Sequence, residues 1–157
     1  MNLSQNFTLD ELTFSETAAR NGIDNTPPDD VLENLQVLAA GLEDVRALLG
    51  GKPVNVSSGY RCAALNAYIG GSFTSAHMSG FAADFTCRGF GSPLDVARKI
   101  ASVNAHLFGI GNGIAFDQLI VEFGRWVHIS FDPKLRGEVF TAVRLASGRT
   151  EYRPGLA

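Results

Sequence analysis

Basic charge is scarce in this chain. Lys and Arg number 13 against 16 Asp and Glu, a formal net charge of −3, which argues against a nucleic-acid binder with its usual basic face. No apolar run is long enough to span a membrane. The start, "MNLSQNFTLDEL", has no basic segment followed by an apolar stretch, so no secretory signal is expected and synthesis in the cytoplasm is. Two cysteines, Cys62 and Cys87, are too few for a disulfide framework and are expected to stay reduced. Internal repeats, low-complexity tracts and charge blocks are also missing, and no linker divides the 157 residues. One domain over 1–157 with its own core is expected, acting as a monomer.

The first half reads as helical. Thr8 and Glu11 have capping-box spacing and Asn21-Gly22 is a helix stop. From Val31, the positions Leu35, Leu38, Leu42, Val45 and Leu49 recur at helical spacing until Gly50-Gly51. "PVNVSSGY" reads as a short strand and "CAALNAYIGG" as a short helix. Ser92-Pro93-Leu94-Asp95 combines an N-cap, a proline at the first helical position and an acid three residues after the cap, opening a helix predicted to reach about His106.

The second half reads as strands. "FDQLIVEF" and "RWVHISFD" predict a hairpin turning at Gly124, "EVFTAVRL" a further strand, and "ASGRTEYRPGLA" a tail. Helices first and strands later give an α+β class.

Alternation then sorts the polar residues of two strands. In "GFAADF", Ala82 and Asp84 share one face, with Phe81, Ala83 and Phe85 on the other. In "WVHISF", Trp126, His128 and Ser130 share a face opposite Val127, Ile129 and Phe131. His77 precedes the first strand by a loop containing Gly80. Two histidines and one carboxylate leave one position open on a tetrahedral zinc, the arrangement of a catalytic site. With a turn at Phe123-Gly124-Arg125, Glu122 faces Trp126 and lies diagonal to His128, about 7–8 Å away, which suits a base that touches water rather than metal. Each residue has a plainer reading. A strand histidine is most often structural, Asp84 could cap a turn, and Glu122 could be a surface acid. His106, near a helix end, takes that plainer reading.

Three motifs in order, SGYR (58–61), S-x-H-x-x-G-x-A-x-D (75–84) and E-x-x-x-W-V-H (122–128), resemble those of the M15 zinc peptidases, the D-Ala-D-Ala carboxypeptidase-like enzymes that include phage endolysins. The resemblance runs from about Phe7 to Phe131. It implies a Hedgehog/DD-peptidase-like domain, a small antiparallel sheet with packed helices. It also implies zinc on His77, Asp84 and His128, and Arg61 as a cation for a peptide carboxylate or oxyanion. Glu122 becomes the general base, since Arg125 occupies the position where several branches carry an acid. Trp126 walls the site and Ser75 orients the His77 loop. The implied function is a zinc-dependent peptidoglycan peptidase cutting a stem-peptide or cross-bridge amide, in the manner of an endolysin released during phage lysis. The alternatives are a D-Ala-D-Ala carboxypeptidase and a non-catalytic zinc-stabilised binding module.

Overall fold

The apolar stripe that begins at Val31 forms α3, Asp29–Leu48. Its Leu35, Leu38, Leu42 and Val45 are fully buried, and Leu49 just beyond it is nearly so. Against this stripe pack the apolar faces of a sheet and of α5, Pro93–Ala101. The computed structural model describes residues 1–108 and 113–157. Short helix α1 (Leu9–Thr13) packs beside the first strand, α2 (Glu16–Arg20) and α4 (Ala63–Tyr68) are further short helices, and α6 (Ala105–Phe108) follows α5. Among the described residues, no helix is long and apolar enough to cross a membrane.

The strands are β1 (Asn55–Ser58), β2 (Ala82–Thr86), β3 (Gln118–Glu122), β4 (Trp126–Ser130), β5 (Glu138–Arg144) and β6 (Thr150–Pro154). They form one six-stranded sheet in the order β1-β2-β4-β3-β5-β6. All neighbours are antiparallel except β3 and β5. The α+β class holds, with a larger sheet than expected and one parallel pair. Ala83, Phe85, Leu119, Val121, Val127 and Ile129 point into the core, so side chains of the alternate positions stand on the opposite face.

Three sequence expectations change. The "ASGRTEYRPGLA" tail contains β6, which pairs with β5 from Phe140↔Pro154 to Arg144↔Thr150. As an edge strand it lacks the apolar period that would mark it. The helix opened by Ser92 carries a complete capping box and proline at its start, but it ends at Ala101 rather than near His106. Asn104 interrupts it: its side chain donates to the Gly137 carbonyl and accepts from the His106 amide, so a new short helix starts there. His106 consequently sits near the beginning of α6, not at the end of α5. At Thr8 only half a capping box forms, Thr8 Oγ1 accepting from the Glu11 amide. Cys62 and Cys87 are free thiols.

Candidate metal centre

Register places the polar residues in rows across the open face. Asp84 pairs with His128, and His128 with Ile120. Ile120 in turn pairs with Phe140. On the other side of Asp84 stands Ser58, brought there by an irregularity between Val56 and Ser58. Val56 packs toward the core, so the extra residue turns Ser58 to the opposite face, a common use of a bulge beside a site. The next row runs Trp126, Glu122, Ala142, Tyr152. It exists because Phe123 (φ 56°) and Gly124 (φ 67°) take left-handed conformations at the hairpin tip, giving the Glu122↔Trp126 pairing expected from sequence.

His77 reaches the first row from its loop. Its amide donates to Ser75 Oγ at 3.3 Å, and its carbonyl accepts from the Arg61 amide at 3.1 Å. The ring is buried, and Nδ1 lies 2.7 Å from the Gly59 carbonyl. A carbonyl only accepts, so Nδ1 carries the proton and Nε2 presents a lone pair. That lone pair faces Asp84 Oδ1 at 3.2 Å and His128 Nδ1 at 3.2 Å. His128 Nδ1 and Asp84 Oδ1 are 2.9 Å apart.

These three atoms form a triangle with sides near 3 Å. Ligand atoms around a tetrahedral zinc, at bond lengths of about 2.0–2.1 Å, stand about 3.3 Å apart. Hydrogen bonding alone leaves the triangle poorly satisfied. His128 can donate one proton to Asp84, but the bare Nε2 of His77 still faces a carboxylate oxygen. A cation at the centre resolves that conflict, and the N2O donor set suits zinc. The Gly59 carbonyl then acts as the outer partner that fixes the ligand's tautomer.

Charge follows the same pattern. Burial opposes ionisation of Asp84, but the charges and hydrogen bonds of His77 and His128 hold its pKa well below the usual range. Burial holds the His77 pKa low. Burial also opposes protonation of His128, but the hydrogen bond and charge of Asp84 raise its pKa. Burial, with the Asp84 charge, raises the Glu122 carboxyl.

Arg61 is less free than the sequence implied. Its Nη2 donates to Asp84 Oδ2 at 3.0 Å and its Nε to Ser58 Oγ at 3.0 Å. The side chain is 14% exposed. Its Nη1 has no acceptor among the described residues. Arg61 therefore orients a carboxylate of the centre while keeping one donor group for a ligand. Glu122 stands outside the triangle, Oε1 lying 3.9 Å from His128 Nδ1. Its Oε2 accepts from Trp126 Nε1 at 3.1 Å, so Trp126 holds the carboxylate as well as walling the site.

The structure thus brings together His77, Asp84, His128, Glu122 and Arg61, and leaves His106 out of the cluster. Sequence reasoning missed Ser58, the Gly59 carbonyl and Tyr152. Only the SGY and TEYRP stretches hinted at them. A groove of about 520 Å³ opens over the site, lined among others by Thr74, Gln118, Ile120, Phe140 and Tyr152.

The family model described as Peptidase M15 matches residues 5–130. No curated protein matches the sequence.

Proposed function

The chain belongs to the peptidase M15 family, and on that footing we propose that it is a zinc-dependent peptidoglycan peptidase. In this reading His77, Asp84 and His128 are the zinc ligands, Glu122 is the general base and Arg61 is the oxyanion cation. The observation that carries the reading is the triangle of three buried ligand atoms, 2.9–3.2 Å apart, with the Glu122 carboxylate beside it but not in it.

A zinc ion held there supplies a Lewis acid and eases the ionisation of water near neutral pH. The chain's own groups do the rest. Glu122 Oε1 takes a proton from the attacking water as its oxygen bonds to the scissile carbonyl carbon. Trp126 keeps Oε2 occupied and so leaves Oε1 for this transfer. Arg61 Nη1, left without a protein acceptor among the described residues, donates to the oxyanion that develops on the carbonyl oxygen, where one fixed donor is typically worth about 2.7–4 kcal/mol. As the C–N bond breaks, Glu122 returns the proton to the leaving nitrogen, giving one new carboxyl and one new amino group.

The substrate in this reading is an amide of the stem peptide or cross-bridge, and the setting is phage lysis, where the enzyme meets the wall after release from the cytoplasm. Membership of a family that includes phage endolysins is what supports that setting. Digestion of purified peptidoglycan tests the function. The expected result is soluble fragments whose new amino and carboxyl ends, identified by mass spectrometry, lie within the peptide, with loss of activity on chelation and recovery on adding zinc. Cleavage confined to glycan bonds, or activity indifferent to chelation, contradicts it.

A further inference from the structure

A second groove, of about 610 Å³, meets the first at the centre. It runs between the loop before α2, the end of α4 and the β3–β4 hairpin, and its walls include Ser15, Thr17, Ile69, Phe123, Arg144 and Thr150. The two grooves share Arg61, Gly70, Gly71 and Glu122. One touches His77 and His128, the other Asp84. The candidate base and cation therefore stand at the junction of two channels rather than at the floor of one.

An enzyme that removes a terminal residue needs a wall just past the scissile bond and a cation held there for the free carboxylate. Here Arg61 is committed through Nε and Nη2 to Ser58 and Asp84, so Nη1 alone remains, too little for a two-pronged grip on a terminal carboxylate, and space continues beyond it. At Gly70, on the shared border, no side chain closes the passage, and a Cβ built there would meet nothing within 4 Å. Each groove falls within the roughly 300–1,000 Å³ that holds a drug-sized ligand, enough for two or more peptide residues. β6 contributes to both walls, Tyr152 in one groove and Thr150 in the other. Residues two apart on one strand share a face, so this edge strand borders both channels.

We infer that the substrate threads the site and continues for several residues on both sides of the cleaved bond, so that the enzyme acts on internal bonds of cross-linked peptide rather than trimming free stem ends. This rests on the peptidase reading above and specifies its substrate.

The test uses a cross-linked muropeptide dimer and a free linear stem pentapeptide, both purified. The inference expects kcat/KM for an internal bond of the dimer at least about tenfold above that for release of the pentapeptide's last residue. It also expects carboxyl-terminal amidation to change dimer cleavage by less than about twofold. Thr150→Trp, which fills the second groove from an edge strand that tolerates large aromatics, should raise KM for the dimer at least about threefold. Thr17→Trp, at a position that also lines this groove, should do the same should Thr150→Trp misfold. In the Glu122→Gln background, calorimetry should show dimer binding weakened by the same factor. Release of terminal residues only, or dimer binding unchanged in both groove variants, overturns the inference while leaving a peptidase. Absence of any cleavage refutes the peptidase reading itself, and the calorimetry then decides the cleft separately.

Discussion

Replacing Gly59 by alanine perturbs the centre without touching any ligand. A Cβ at that position would lie 2.3 Å from the Leu12 carbonyl oxygen and 2.9 Å from its carbon. Carbon–oxygen contacts settle at about 3.3–3.6 Å, so the two backbones must separate by about 1 Å. They cannot do so freely. Leu12 is fully buried, and its carbonyl accepts from the Tyr60 amide at 2.7 Å. The movement therefore falls partly on the Gly59 carbonyl, which holds His77 Nδ1 at 2.7 Å. A 1 Å displacement stretches that bond beyond useful length. Overpacking of this kind costs about 1–3 kcal/mol of stability, and loss of an outer partner typically costs about 10–100-fold in metal affinity. Chelator competition on folded Gly59→Ala, with thermal melting alongside, measures both. A variant that is destabilised yet binds zinc as tightly as the parent refutes the role given to the Gly59 carbonyl.

Glu122→Gln should keep the fold and the metal but lose about 10²–10⁴-fold in turnover, and near-normal rates would assign the base elsewhere. Arg61→Ala should lower turnover and also weaken zinc, because Arg61 orients Asp84; parental metal affinity in that variant would leave only the oxyanion role. Asp117 is buried and takes two side-chain hydrogen bonds and one backbone bond from Arg136, which hold its pKa low. A depressed carboxylate stabilises the fold above its unfolded pKa of about 3.9 and loses that contribution as pH falls through the lower folded value. Asp117→Asn should therefore be less stable than the parent at neutral pH, with the gap closing below about pH 4 in urea titrations; parallel stability curves would refute the pair's contribution.

The centre was unusually legible because its side chains obey short-range rules. Period-two alternation puts Asp84 and His128 opposite faces filled by phenylalanine, valine and isoleucine. The φ > 0 demand of a tight turn puts Glu122 across from Trp126. The long helix was equally plain from its leucine spacing. What stayed hidden depends on contacts distant in sequence. The ion pair of Arg61 with Asp84 spans 23 positions. Nothing in "VNVSS" announces the irregularity that turns Ser58 toward the site. β6 was invisible because an exposed edge strand has no core face to impose a pattern. The break at Asn104 comes from a bond to Gly137, 33 positions away, and the parallel pairing of β3 with β5 is likewise a property of the assembled sheet.

The central claim is that His77, Asp84 and His128 together hold one zinc ion. Metal analysis of the purified protein and of His77→Ala, His128→Ala and His106→Ala tests it most directly, with circular dichroism confirming that each is folded. The account predicts one zinc per chain in the parent and in His106→Ala, and little or none in the other two. Full zinc occupancy in folded His77→Ala or His128→Ala would contradict it.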